Sequence, residues 1–126
     1  MEINGTITFF YYDNLKQATK FYGEVMGLTK VIDIPIAKVF KVHGSSHVGL
    51  VDGQKGYLKY TDDKPVMLSW FSDEIDEWYK YLLEKGVEVD QPPMKQSYLE
   101  MKTMLFRDPE GYLLEILQWL KKPYGS

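Results

Sequence analysis

Residues 7–28, ITFFYYDNLKQATKFYGEVMGL, align with residues 67–87, MLSWFSDEIDEWYKYLLEKGV, at a shift of 60 positions. The shift pairs Tyr11 with Phe71, Asp13 with Asp73, Leu15 with Ile75 and Phe21 with Tyr81. Deleting one residue late in the first segment then pairs Gly27 with Gly86. An internal repeat of this kind implies two copies of one supersecondary unit, and it is looked for before anything else because it decides the architecture. Each copy begins with an apolar, aromatic run of strand length, turns through a few polar residues and continues as an amphipathic helix. Leu15, Ala18, Phe21, Tyr22 and Val25 form the apolar face of the first helix; Ile75, Trp78 and Leu82, with Tyr79 on one edge, form that of the second. Asn14 followed by Gln17 has capping-box spacing, and Ser72 or Asp73 is the expected cap of the second helix. Gly27 and Gly86 stand where a helix ends in a left-handed residue.

Three strand-like segments follow each helix: 30–34, 37–42 and 47–52 in the first half, 88–91, 100–107 and 112–119 in the second. Asp108-Pro109-Glu110-Gly111 between the last two carries proline and glycine at the second and fourth positions of a turn. The strand at 88–91 is expected to stop before Pro92-Pro93, because proline cannot donate to a ladder. The predicted class is α+β, with βαβββ occurring twice. Module 1 spans about 1–53, a linker 54–64 and module 2 about 65–120, within one domain covering 1–126. Strands 7–12 and 67–71 are apolar or aromatic on both faces, so both faces must be covered. A helix covers one. A cavity, a second sheet or a partner chain must cover the other.

Composition narrows the functions available. The 126 residues are 44% apolar and 15% aromatic, with ten Tyr and three Trp, which suits a folded core and an aromatic-lined pocket and excludes a disordered chain. The net charge is −3 with acids and bases interspersed, so no basic stripe is present to follow a phosphate backbone and nucleic acid is not an expected partner. Without cysteine there is no disulfide, thiolate nucleophile or thiolate metal site. No signal-peptide pattern opens the chain and no apolar run approaches the about 18 residues of a membrane span, so the expected location is cytoplasmic, away from membranes. No phosphate loop or dinucleotide fingerprint occurs. In Gly44-Ser45-Ser46-His47-Val48 the place of the second glycine of a nucleophile elbow is taken by Val48.

Two stretches resemble a known superfamily. Phe21-Tyr22-Gly23-Glu24-Val25-Met26-Gly27-Leu28 is similar to the "FY…VLGL" helix end of the vicinal-oxygen-chelate proteins (glyoxalases, bleomycin-resistance proteins, ring-cleaving dioxygenases). Asp108-Pro109-Glu110-Gly111-Tyr112-Leu113-Leu114-Glu115-Ile116 is similar to their "DPDG…IEL" terminal hairpin. The resemblance covers essentially the whole chain. It implies two βαβββ modules whose curved mixed sheets form a cavity, and commonly a homodimer. It does not select a function, since the superfamily hosts isomerases, dioxygenases, transferases and non-catalytic drug binders. Metal-using members place His and Glu ligands on the first and fourth strand of each half. Carried onto this sequence, those positions are Ile7, a residue near Gly49, Met67 and Glu115. Ile and Gly offer no donor, Met only a thioether, and one carboxylate alone holds no catalytic metal. No metal and no cofactor are expected.

Strand parity nominates the residues that face a ligand. Ile7, Phe9 and Tyr11 share one face of the first strand; Met67, Ser69 and Phe71 share the matching face of the fifth; Glu115, Leu117 and Trp119 belong to the last. Glu115, inside Leu113-Leu114-Glu115-Ile116-Leu117, must find a partner or take up a proton if it points inward. It reads as a general base, a ligand anchor or a structural carboxylate. His47 shares parity with position 49 and is a candidate contact or proton donor, whereas His43 lies in a turn. The expected ligand-binding set is therefore Phe9, Tyr11, His47, Ser69, Phe71, Glu115 and Trp119, with Glu115 the one catalytic candidate. The reading these residues favour is a metal-independent protein that holds a planar or aromatic small molecule. A metal-dependent lyase, isomerase or dioxygenase with a displaced site, and an accessory module whose cavity is filled by its own side chains, remain open alternatives.

Overall fold

Parallel pairing of the first and fourth strands organises each half. In the computed structural model, which describes residues 1–124, β1 (Thr6–Tyr12) lies beside β4 (Ser46–Asp52), with Ile7 opposite His47 and Phe9 opposite Gly49. Strands that run the same way cannot be joined by a tight hairpin, so the chain crosses over through a helix. Helix α1 (Leu15–Lys20) makes that crossing, and β2 (Thr29–Ile34) and β3 (Ala37–His43) add antiparallel, giving the order β1-β4-β3-β2. The second half repeats the plan. β5 (Met67–Phe71) pairs in parallel with β8 (Leu113–Trp119), α2 (Ile75–Glu84) crosses over, and β6 (Val89–Lys95) and β7 (Met101–Arg107) complete the order β5-β8-β7-β6. The fold is thus α+β, two βαβββ modules with four-stranded mixed sheets. The halves form two compact units, Met1–Asp63 and the chain from Lys64 on.

One face of each sheet is buried under its helix. In the first unit Phe10, Tyr12, Phe40, Val48 and Leu50 are almost fully buried together with Ala18, Phe21 and Tyr22 of the helical segment. Tyr12 and Tyr22 join their hydroxyls at 3.2 Å within that core, which lets two phenols be buried without losing their hydrogen bonds. In the second unit Met104, Phe106, Leu114 and Ile116 are covered in the same way, with Ile75 and Leu82 from α2. Removing such apolar area from water is what holds each unit together.

The helices differ by one residue, and the structure shows where it goes. Phe21–Val25 is wound as a π-helix, closed by the Met26 amide donating to the Phe21 carbonyl at 2.9 Å. A π-turn is how a helix absorbs a single inserted residue. It accounts for the deletion needed to align Gly27 with Gly86, and it turns Met26 into the core while Leu15 and Val25 stay half-buried. Both helical segments then end on left-handed glycines, Gly27 at φ 71° and Gly86 at φ 73°.

Several local expectations need correction. Asn14 caps α1, accepting from the Gln17 amide at 3.0 Å. The cap of α2 is neither Ser72 nor Asp73: the flanking residue is Glu74, whose side chain makes no capping bond, while Ser72 only receives the Glu74 amide. The first amide of α2 is satisfied from far along the chain by Gln118 Oε1 of β8, at 3.2 Å. β6 does not stop at residue 91 but runs through Pro92-Pro93 to Lys95. It can do so because it is an edge strand, and its register against β7 slips between Gln91 and Met94 to pass the prolines. β5 has the expected ends, and the remaining strands shift by a residue at one end. The expected turn forms, with the Gly111 amide donating to the Asp108 carbonyl at 3.0 Å and the buried Asp108 carboxylate accepting from Glu110 and Tyr112 amides. Residues 53–66 contain no strand or helix. Among the described residues no helix is long and apolar enough to cross a membrane.

At the other sheet's edge, β2 is exposed along its length and carries Asp33 between Lys30 and Lys38. Hydrogen bonding to Lys30, then Lys38, lowers the Asp33 pKa to about 2. The pair is solvent-exposed and screened, so its effect on stability is small. Its sign is nonetheless fixed: a depressed carboxylate contributes above its unfolded pKa and loses that contribution as pH falls toward 2. Gln118→Leu is expected to destabilise the chain by about 1 kcal/mol in urea unfolding, the usual worth of a helix cap, although residue 118 lies more than forty positions from the helix it caps.

Candidate functional site

The helix-distal face of the first sheet is built from alternate residues of its strands. Ile7, Phe9 and Tyr11 of β1 stand beside His47, Gly49 and Val51 of β4, and Val39 of β3 lies opposite Gly49. Ile7 and Phe9 are 42% and 46% exposed, a large apolar area for a strand whose other face is core. Gly49 has no room for a side chain. Two ring carbons of Phe9 occupy the space where a Cβ would stand, with Ile7 Cγ2 3.1 Å away from it. The Phe9 ring thus lies across the Gly49 backbone, and Tyr11 packs in the same manner on Gly56. His47 is half-buried, its Nδ1 3.1 Å from the Thr6 carbonyl. If Nδ1 carries the proton for that bond, Nε2 is left as an acceptor. A groove of about 370 Å³ opens beside it, lined by Asn4–Ile7, Ser45 and His47.

The matching face of the second sheet is different in character. Gln91, Leu105, Glu115 and Ser69 form one row across all four strands. Met94, Thr103, Leu117 and Phe71 form the next, and Trp119 follows opposite Met101. Ser69 Oγ donates a short hydrogen bond to Glu115 Oε1. The carboxylate is half-buried and, among the described residues, enters no ion pair. Phe71 is 62% exposed and meets Trp119 edge-on at 5.6 Å; Tyr124 meets the same indole at 5.7 Å. Arg107 ends this face, but its guanidinium is committed to Asp90 at 2.7 Å and to the Gly111 carbonyl at 3.1 Å. Its bond to Asp90 raises its pKa further above the ordinary value.

The candidate residues therefore fall in two sets: Phe9, Tyr11 and His47 on the first sheet, Ser69, Phe71, Glu115 and Trp119 on the second. Each set shares one face, as parity requires. Sequence reasoning missed a polar group on the second face. Thr103 is 3% exposed, and its hydroxyl accepts from Gln91 Nε2 at 3.2 Å and Gln96 Nε2 at 2.7 Å, while Gln91 Nε2 also reaches the Thr103 carbonyl. The signal was present in the alternation Met101, Thr103, Leu105, where one polar residue interrupts an inward-facing row.

A family model described as the Glyoxalase/Bleomycin resistance protein/Dioxygenase superfamily matches residues 6–116. The chain belongs to that superfamily. The metallothiol transferase FosB of Shouchella clausii (strain KSM-K16) is 27% identical over 112 residues, covering 85% of this chain and 74% of that protein. The fold is shared with a glyoxalase/bleomycin resistance protein/dioxygenase from Nocardioides, with a TM-score of 0.78 at 23% identity, covering 100% of this chain and 91% of the other. It is shared also with lactoylglutathione lyase from Agrobacterium tumefaciens, with a TM-score of 0.75 at 23% identity over 90% and 91% of the two chains.

Within this superfamily the donor chemistry here does not fit a divalent metal at the positions that the motifs imply. Ile7 and Met67 present exposed apolar side chains, and Gly49 is covered by an aromatic ring. Among the described residues no three His, Asp or Glu gather into a group able to hold a metal ion. Gly49→Ala is expected to cost about 1–3 kcal/mol in chemical denaturation, because the new methyl collides with Phe9. Made in a Phe9→Ala chain, the same change should cost at least about 0.5 kcal/mol less, the size at which a double-mutant cycle registers direct coupling.

Proposed function

We propose that this superfamily member is a metal-independent small-molecule-binding protein that holds a planar or aromatic ligand against the helix-distal face of its second sheet. The observation that carries the reading is the Glu115 carboxylate, held by Ser69 in a row with Leu105, on a face that also carries Leu117, Phe71 and Trp119. Ligand sites are mostly apolar and aromatic with a few placed polar groups, and this face has that composition. Ser69, Phe71, Glu115 and Trp119 are its proposed contacts; Phe9, Tyr11 and His47 are the proposed contacts for a ligand on the first sheet taken by itself. Glu115 serves as an anchor that orients the ligand, and no cofactor takes part.

The exposed Ile7, Phe9, Met67 and Phe71 also support a homodimer, since apolar area of this kind favours association. Light scattering is expected to give twice the chain mass of 14.7 kDa; a single-chain mass would contradict the dimer.

A second reading, a metal-dependent enzyme with a displaced site, is favoured by the similarity to a metallothiol transferase. One pair of measurements separates the two. Calorimetric titration of chelator-treated protein with nickel, zinc, iron(II) and manganese should show no tight one-to-one binding. A thermal-shift screen of aromatic small molecules should yield hits that raise the melting temperature, and Glu115→Ala should weaken them. A ligand at a hundred times its Kd stabilises the native state by about 2.7 kcal/mol, which such a screen detects. Tight metal binding abolished by Glu115→Ala would transfer the assignment to the metal enzyme.

A further inference from the structure

We propose that the ligand taken up by the second sheet is a planar organic cation whose N–H groups meet Glu115 and the carboxamide oxygens of Gln91 and Gln96. The inference rests on the binding reading above and adds to it the charge and hydrogen-bonding sense of the ligand.

The argument is a census of donors and acceptors on one face. Ser69 uses its hydroxyl proton on Glu115 Oε1. Gln91 turns its amide nitrogen to the carbonyl and the hydroxyl of Thr103, at 3.2 Å each, and Gln96 turns its amide nitrogen to the same hydroxyl at 2.7 Å. Because Thr103 holds both nitrogens, Gln91 is left with its Oε1 for a newcomer, and Gln96 with its Oε1 and one N–H. The indole Nε1 of Trp119 is buried, without a hydrogen-bond partner among the described residues, so it does not reach outward. Arg107, among the described residues the one cation in the strand rows of this face, already has Asp90 as its counter-ion. What remains is one carboxylate charge without a counter-ion, two amide oxygens, and only minor uncharged donors: the Thr103 hydroxyl proton and the second Gln96 N–H.

The register gives this set a shape. Gln91 and Glu115 lie in one row with Leu105 between them, two strand spacings or roughly 10 Å apart. Leu117, Phe71 and Trp119 border that row on the β5–β8 side. A flat body resting on Leu105 and Leu117, with N–H groups at its rim, satisfies acceptors on both sides. A positive charge gains twice, from Glu115 and from the exposed Phe71 ring, whose face attracts cations. An anion of the same shape meets like charge and acceptors facing acceptors.

A matched series of probes tests the charge directly on the full chain. 2-Naphthamidine, 2-naphthamide and 2-naphthoate share one aromatic body and differ only in the charge and donors of their head group. By calorimetry at neutral pH and low salt, the amidinium is expected to bind at least about tenfold more tightly than the amide, with the carboxylate weakest. Glu115→Gln keeps an acceptor for Ser69 and removes the charge; it should abolish that preference, bringing the affinities of the amidinium and the amide within about twofold of each other. If that variant does not fold, the ranking on the unaltered protein decides alone. Equal binding of all three, or tightest binding of the carboxylate, overturns the cation while leaving a planar-ligand site in place. Binding of none of the three, alongside neutral hits from the wider screen, does the same. A complete absence of aromatic hits would overturn the binding reading itself.

Discussion

Each half of this chain depends on a parallel contact between two strands with apolar residues on both faces. β1 on β4, and β5 on β8, run the same way, so the connection must leave the sheet and return across one face. The crossing helix decides which parity becomes core. Phe10, Tyr12, Val48 and Leu50 go under α1 and its π-helical continuation; Leu114 and Ile116 go under α2. Everything of functional interest is what this choice leaves over, the opposite parity of the same strands. The proposed site is therefore a by-product of core formation in a strict sense. A one-residue slip of β1 against β4 would bury Phe9 and expose Phe10.

The two leftover faces are not equivalent. The first is almost wholly apolar, and its centre is closed by a ring lying on a glycine, so it offers contact area with little direction. The second carries a carboxylate, a threonine and two carboxamides in adjacent rows, which gives it direction and charge. In a fold made by repetition, the repeat supplies the scaffold twice while the chemistry is concentrated in one copy. Ile7 and Met67 occupy equivalent positions and neither offers a metal ligand with the charge or basicity of Glu or His. At the fourth-strand position one half has Gly49 under Phe9 and the other has Glu115 beside Ser69.

Much of this was legible in the sequence because it follows from period and spacing. The 60-residue shift placed β1 and β5 in equivalent positions, and alternation correctly put Phe9 with Tyr11 and Ser69 with Phe71 on shared faces. What escaped depends on contacts between distant residues. Ser72 and Asp73 are good caps by type, but Gln118 arrives from β8 and takes the role, which no local rule anticipates. Pro92-Pro93 looked like the end of a strand, and would be one in the middle of a sheet; at an edge their missing amides are not needed. The π-turn at Phe21–Val25 was visible only as an alignment gap. The covering of Gly49 depends on how a neighbouring ring is turned, and the Gln91–Thr103–Gln96 group on a register slip that brings two glutamines to one hydroxyl. Neither is written in the order of residues alone.

The prolines of β6 have a consequence for the protein in a crowded solution. An open strand edge is a template on which another chain can grow, and the rows of unpaired amides and carbonyls along it are where assembly into fibres begins. Pro92 and Pro93 bring no amide donor to the edge strand of the second sheet, and the slipped register beside them breaks its flat profile. On the first sheet β2 has no proline; charge protects it instead, with Lys30, Asp33 and Lys38 set among Val31, Ile32 and Ile34. One sheet is guarded by geometry, which no change of solvent removes. The other is guarded by ions, so high salt, which screens them, is the condition under which its edge becomes adhesive and self-templating growth would start there.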